Sequence, residues 1–374
     1  MRDYVGFGAL SEALQALAAG GYATVLAVAS ESGWKRFNAA EKRQFFAERD
    51  TRLFSGFSIN PDIREIMAGA GVLKEFKPDL IVALGGGSAM DVAKMMKALA
   101  FTREPFTPEQ PEGLKPSGDG PPLAAIATTA GSGAEATQYG VFYKGEEKQS
   151  LAHPSLRPEM AIVDPEMTYS LPPAQTAATG FDGLSQSVEA FWCSNTTPEA
   201  RELASASIKY ILPNIEAAVR APEPGNRYHM AQGAYLSGKA INITRTTMPH
   251  ALCYHLTKKY GLPHGHAVAI TLPYFFLINM DPSLPVNSPL GPERHRRNMK
   301  NLFAVMGRET AEDCFSFWRD RLRACGLAAT LPEIGMKTAD QVSAMVASMN
   351  LARQKNNPVH IEADYLVNFI MERL

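Results

Sequence analysis

Cysteine is scarce in this 374-residue chain. The four present, Cys193, Cys253, Cys314 and Cys325, form no CxxC pair and no framework spacing. That excludes a disulfide scaffold and a cysteine-type zinc site, and it fits a reducing compartment. Charge of one sign is lacking too: 37 Lys and Arg against 38 Asp and Glu leave a formal net charge of -1, so no global field favours nucleic acid or an anionic membrane. No uncharged run reaches membrane-spanning length, and Asp3 and Glu12 interrupt the stretch where a secretory leader needs a basic and then an apolar region. The expectation is a cytoplasmic protein with neither nucleic acid nor membrane as partner. Internal repeats and low-complexity tracts are missing, and so is a GxGxxG fingerprint. The length prior is two or three domains, with apolar content ample for real cores.

The first half alternates strand-like apolar runs with helical patterns, as parallel βαβ units do. ATVLAVA (Ala23 to Ala29) and LIVAL (Leu80 to Leu84) are the clearest strands, PPLAAIATT (Pro121 to Thr129) is a third and MAIVD (Met160 to Asp164) a fourth. Thr102 to Pro122, rich in Pro, Gly and charge, reads as a surface loop. From Pro172 onward the pattern turns to long helical stretches separated by Pro and Gly. A boundary is expected there, giving an α/β domain over 1–171 and an all-helical domain over 172–374, with Asp164 to Pro173 as the hinge.

Two small-residue loops follow expected strands. Gly85-Gly86-Gly87-Ser88 opens a helix-like run, where backbone N–H groups can approach a phosphate at a helix N-terminus. Thr128 to Gly133 offers hydroxyls and N–H groups for the ribose or nicotinamide side. Loops at the C-terminal ends of neighbouring parallel strands are where an open α/β sheet binds its ligand. At the end of the first strand stand Ser30 and Glu31, with Lys35 and Arg36 close by. Ser30 neither repels a 2′-phosphate nor grips two hydroxyls as a carboxylate would, so NAD(H) and NADP(H) both stay open.

The stretch TTMPHALCYHLTKKYGLPHGHAV (Thr246 to Val268) sets His250 and His264 fourteen residues apart. One straight helix would separate them by roughly 21 Å, whereas ligands of one ion sit about 2 Å from it. Gly261-Leu262-Pro263 supplies the break that folds the chain back. Upstream, GFDGLSQSVEAFW places Asp182 and Gln186 at i and i+4 on one helix face, so both oxygens can point at one ion.

GGGSAMDVAK (Gly85 to Lys94), TTAGSGAEAT (Thr128 to Thr137), GFDGLSQ and PHALCYHLTKKYGLPHG resemble, in order and over most of the chain, the iron-containing, group III alcohol dehydrogenases. The resemblance implies a Rossmann-like dinucleotide-binding α/β domain followed by an all-α domain, the dehydroquinate synthase-like architecture, and a homodimer. It implies a divalent metal, Fe²⁺ or else Zn²⁺, on Asp182, Gln186, His250 and His264. It carries the cofactor positions to Gly86, Gly87, Ser88, Asp91, Lys94, Thr128, Thr129 and Ser132. Two positions depart from the family: Gln186 stands where the second ligand is usually histidine, and Tyr254, with His255 one step on, where a further histidine is common. The runs SLAHPSLRPEMAIVDP, INITRTTMPHALCYHLT and KNNPV resemble phosphonoacetaldehyde reductases, which reduce a small anionic aldehyde.

Hydride transfer to an aldehyde leaves negative charge on oxygen, which a Lewis-acidic cation with an open position stabilises. Tyr254 or His255 could pass the proton, and Arg245, five residues before His250, could draw an anionic substrate, with Lys148, Arg157 and Lys355 as further cations. His266 is expected in a supporting role, His153 as a loop residue, and Arg294 to Arg297 as a solvated helix face. Other readings stay open: a general short-chain alcohol dehydrogenase, a metal-free reductase of the maleylacetate type motivated by Gln186, and a nucleotide-binding protein that has lost its chemistry.

Overall fold

The computed structural model describes residues 2–37, 40–104, 107, 114–145, 147–349 and 351–374. The chain separates into two compact units: residues 1–129 with 133–169, and residues 130–132 with 170–374.

The first unit is built on six parallel strands: β1 (Arg2–Val5), β2 (Thr24–Val28), β3 (Asp50–Phe54), β4 (Leu80–Gly85), β5 (Leu123–Ala127) and β8 (Met160–Val163), in the spatial order β1-β8-β5-β4-β2-β3. A two-stranded antiparallel hairpin, β6 (Tyr139–Lys144) and β7 (Glu147–Ala152), stands apart from this sheet. The helices are α1 (Ala9–Ala19), α2 (Glu31–Arg36), α3 (Ala40–Ala47), α4 (Ile63–Phe76) and α5 (Gly87–Ala100). The four expected strands are present as β2, β4, β5 and β8. Residues 105–106 and 108–113 of the expected loop lie outside the described residues, and the rest of it carries the isolated bridge between Thr102 and Pro116. Leu80 to Leu84 and Leu123 to Ala127 are buried throughout, as central parallel strands require. After β3 the chain returns to the other side of β2 to form β4, so the strand order reverses between β2 and β4. The carboxyl ends of two such strands are where an open sheet takes its ligand.

The second unit is helical: α6 (Pro173–Trp192), α7 (Pro198–Ile211), α8 (Ile215–Arg220), α9 (Pro224–Thr244), α10 (Met248–Tyr260), α11 (His264–Ile278), α12 (Gly291–Val305), α13 (Ala311–Ala324), α14 (Ala339–Ala347) and α15 (Ala363–Met371). Helix α6 opens with Pro173 in its first turn, where the missing N–H costs nothing. From Gly180 to Trp192 every residue is buried, the mark of a helix enclosed on all sides. Phe181 meets Trp318 edge-on at 5.6 Å, and Trp192 meets Phe276 at 5.6 Å, so aromatic packing fixes the axial position of α6. No helix among the described residues is long and apolar enough to cross a membrane.

Candidate active site

In the first unit, β4 ends at Gly85 with φ 155°, and Gly86 is the N-cap of α5. Thr128 N–H donates to Gly85 O at 3.0 Å, and a Cβ at position 86 would lie 3.0 Å from Thr129 Oγ1. The two small-residue loops are therefore packed edge to edge, with room for backbone only. Ser88 Oγ accepts from Asn60 N–H at 3.4 Å, and Ser30, which follows β2, caps α2 by accepting from Gly33 N–H. Ser30 and Gly86 thus stand at the ends of the two strands between which the order reverses.

Asp91 and Lys94 point into the unit. Lys94 is fully buried, and its ammonium donates to Ala134 O (2.6 Å), Thr137 O (2.9 Å), Thr137 Oγ1 (3.1 Å) and Tyr139 O (2.9 Å). Burial lowers the Lys94 amine to about 8 and raises Asp91 to about 6 and Glu135 to about 7, each partly offset by the opposite charge beside it. With four oxygens around it, the amine is held as an ammonium, and Lys94 pins the 134–139 loop to α5.

In the second unit, Asp182 on α6, His250 on α10 and His264 on α11 converge, their ligating atoms within 4.8 Å of one another. Asp182 Oδ1 lies 3.5 Å from His250 Nε2 and 3.9 Å from His264 Nε2. The turn between the histidines forms as its sequence suggests: Gly261 ends α10 in the left-handed region at φ 69°, and His264 opens α11 after Pro263. Gly265 lets α11 reach α6. A Cβ there would fall 2.0 Å from Ala178 O and 2.7 Å from Asp182 Cβ, so only glycine brings His264 beside the carboxylate.

Glu189, which sequence reasoning missed, orders this site. Fully buried on α6, it meets His250 Nδ1 through Oε2. Its Oε1 accepts from Thr247 N–H and Thr247 Oγ1, both at 2.9 Å, and from His250 N–H at 3.4 Å. One carboxylate therefore caps the N-terminus of α10 and fixes the ring of its first histidine. A carboxylate only accepts, so Nδ1 carries the proton and the Nε2 lone pair is presented to the cluster. The available signal was spacing, since Glu189 lies seven residues beyond Asp182 on the same helix face. Burial disfavours the charged His250 ring, but Glu189 and Asp182 together outweigh it and raise its proton affinity.

Gln186 is one turn from Asp182. Its Oε1 accepts from Ser237 Oγ at 3.0 Å, and its Nε2 donates to Ser132 O at 3.3 Å, which is how Ser132 reaches this unit. An amide oxygen carries two lone pairs, so one such bond leaves it able to ligate. The convergent donor set suits a divalent cation: one carboxylate and two imidazoles, with His250 Nε2 buried and lacking a hydrogen-bond partner among the described residues.

Tyr254 stacks on His264, ring centroids 6.4 Å apart and planes 10° apart, whereas the His255 ring meets Tyr260 at 6.2 Å. Arg245, exposed at the end of α9, has φ 78° and ψ 173°, a backbone region normally reserved for glycine. His266 Nε2 contacts Ala328 O at 2.8 Å in a supporting role, and His153 Nδ1 accepts from Ser155 N–H at 3.2 Å, capping a local turn. Arg294, Arg296 and Arg297 lie on the exposed face of α12. Lys148 and Arg157 belong to the first unit, and Lys355 is exposed in the second.

A parallel-sheet unit with glycine junctions suited to a dinucleotide, and a helical unit with a buried carboxylate between two imidazoles, define a class: nicotinamide-dependent, metal-using oxidoreductases. The chain belongs to the iron-containing alcohol dehydrogenase family, whose models match residues 2–165 (Iron-containing alcohol dehydrogenase) and 176–374 (Fe-containing alcohol dehydrogenase family, C-terminal). It is similar to alcohol dehydrogenase 4 of Saccharomyces cerevisiae, with 30% identity over 88% of this chain and 85% of that one. It is similar to a phosphonoacetaldehyde reductase of Streptomyces viridochromogenes, with 30% identity over 82% and 79%. Among solved structures, sulfoacetaldehyde reductase from Bifidobacterium kashiwanohense in complex with NAD+ superposes with a TM-score of 0.88, at 28% identity, covering 100% of this chain and 96% of that one. The chain is accordingly an NAD(P)-dependent alcohol/aldehyde oxidoreductase, of a family that uses NAD(H) or NADP(H) and a divalent metal.

Proposed function

We propose that this enzyme interconverts a small anionic aldehyde and its primary alcohol, with phosphonoacetaldehyde and 2-hydroxyethylphosphonate as the specific pair. In the reductive direction bound NAD(P)H would supply the hydride for the carbonyl carbon and the protein the proton for its oxygen, so that aldehyde, NAD(P)H and one proton balance against the alcohol and NAD(P)⁺. The observation that carries the reading is the convergence of buried Asp182 and His250 with half-buried His264. Two of the similar proteins are reductases of two-carbon aldehydes that end in a tetrahedral oxyanion, which supports the anionic substrate.

In this reading Asp182, His250 and His264 would hold a divalent metal with Gln186 as fourth donor, and the metal would supply Lewis acidity toward negative charge developing on the carbonyl oxygen. Glu189 keeps His250 in one tautomer. Tyr254, lying along His264, supplies the proton from its hydroxyl, with His255 as the alternative relay, and Arg245 attracts the anion. Gly86, Gly87, Ser88, Thr128, Thr129 and Ser132 hold the nucleotide, with Ser30 at the adenosine end; Asp91 and Lys94 act from beneath by fixing the loops. The functional division at residues 171/172, a homodimer and a cytoplasmic location belong to the same proposal.

A second reading, a general short-chain alcohol dehydrogenase, is favoured by the equal identity to the yeast enzyme. The test is steady-state oxidation of NADH and NADPH with phosphonoacetaldehyde beside uncharged aldehydes of similar size. A clear preference for phosphonoacetaldehyde is expected, and a preference for the uncharged substrates removes the anionic assignment. Chelation should abolish activity until Fe²⁺ or Zn²⁺ returns. Full activity of the stripped protein would favour a metal-free reductase, a reading to which the two hydrogen bonds on Gln186 lend weight.

A further inference from the structure

We infer that Arg353, on the 3₁₀ segment Leu351–Asn356, binds the substrate's oxyanion directly and sets its specificity, with Arg245 drawing the anion in. The inference rests on the anionic-aldehyde reading and names the group behind it.

The segment is firmly placed. Asn356 Nδ2 donates to Thr246 O at 3.0 Å, Ser194 N–H donates to Asn356 O at 2.8 Å, and Ser194 Oγ donates to Lys355 O at 2.9 Å. It is thus tied both to the end of α6 and to the link between α9 and α10. From it Arg353 Nη1 donates to Thr246 Oγ1, and the guanidinium carbon lies 5.7 Å from the centroid of the Tyr254 ring. Tyr254 in turn lies along His264 at 6.4 Å. Two consecutive ring contacts therefore connect this cation to a candidate metal ligand.

Like Arg308 and Arg319, which lie over aromatic rings without an ion pair among the described residues, Arg353 has no carboxylate partner; what distinguishes it is its place over Tyr254, the ring that lies along His264. Arg52, Arg220, Arg321, Arg323 and Arg373 each pair with a glutamate. Among the described residues Arg353 forms no ion pair, only the bond to a threonine hydroxyl and the contact with a tyrosine ring. A guanidinium has five N–H donors in a planar fork. Stacking on an aromatic ring uses its face and leaves edge donors for two oxygens of a tetrahedral phosphonate or sulfonate.

A second observation marks the link between α9 and α10, against which the segment is held at Thr246. Arg245, next to Thr246, keeps a side chain where the backbone calls for glycine. On its other side, the Cys193 sulfur donates to Thr244 O at 3.5 Å and to Asn356 O at 3.3 Å, joining the backbone beside Arg245 to the 3₁₀ segment. Two arginines thus flank Thr246, one held against backbone strain and one without a carboxylate.

The test compares kcat/KM for phosphonoacetaldehyde and for an uncharged aldehyde of similar size in the wild type, in Arg353→Gln and Arg353→Lys, and in Arg294→Gln as a remote control. Arg353→Gln should lower the ratio of the two constants by at least about tenfold, mainly through KM for the anion, with Arg353→Lys between the two. Calorimetric binding of ethylphosphonate to the intact protein should weaken in parallel. An unchanged ratio with unchanged ethylphosphonate binding in Arg353→Gln, or an equal loss in Arg294→Gln, overturns the assignment. If the wild type shows no preference for the anion, the substrate reading fails by itself. Ethylphosphonate binding that still depends on Arg353 then upholds the oxyanion site.

Discussion

Glu189 shows how much one side chain can settle. By accepting from the N-terminus of α10 and from the His250 ring at once, it makes the orientation of a candidate ligand a property of the fold. Glu189→Gln keeps the shape and removes the charge, and an amide can present N–H where Nδ1–H now points. Metal affinity should fall by about 10- to 100-fold, read by competition with a chromogenic chelator, with the protein still folded by circular dichroism. Retention of wild-type affinity would reduce Glu189 to a helix cap. At this scale sequence and structure part company. The approach of His250 to His264 was legible because the helix break between them is local, whereas the convergence of Asp182 with them was expected from the family resemblance. The double role of Glu189 depends on α10 arriving from sixty residues downstream, and Arg353 on a segment more than a hundred residues away from Thr246.

At the scale of elements, the site depends on how closely α11 approaches α6, and Gly265 is the point of contact. Gly265→Ala sets a methyl against the Ala178 carbonyl and Asp182. The helices must separate by ångströms, at a cost of about 1 to 3 kcal/mol for overpacking a tight contact. The expected outcome is a lower melting temperature together with loss of metal binding, and a variant that binds metal normally would show that α11 can slide without disturbing His264. Elements also mark the limit of periodicity. β2, β4, β5 and β8 are apolar runs and read as strands, whereas β1 (RDYV) and β3 (DTRLF) sit at the two edges of the sheet, where charge is tolerated. The β6 and β7 hairpin is concealed for a related reason, since alternating polar residues on a separate two-stranded ribbon carry no signature of burial.

For the molecule as a whole, stability should carry the imprint of the buried charges around Lys94. Burial raises Glu135 from 4.5 to about 7, so the folded state holds a proton that the unfolded chain has released. Its favourable contribution is complete below pH 4.5 and is lost as pH climbs through about 7; Asp91 acts in the same direction. Asp79 has the opposite sign, because N–H groups of Thr24 and Ala23 hold its carboxyl low and that stabilisation is lost in acid. Glu135→Gln isolates the first effect. Its melting temperature should decline less than the wild type's between pH 5 and about 7, and parallel curves would mean that Lys94 keeps Glu135 ionised throughout.

The two-unit architecture was legible because a change from strand-helix alternation to uninterrupted helix extends over hundreds of residues. Helix α6 has a consequence on a longer timescale. It carries Asp182, Gln186 and Glu189 on a backbone buried without a break from Gly180 to Trp192, so the side chain at position 186 can change while its neighbours stay in place. Glutamine and histidine codons differ by a single nucleotide. A lineage with this fold can therefore exchange an amide for an imidazole in one mutational step, and on the proposed ligand set metal preference is a character that evolution can revise far more readily than the scaffold that displays it.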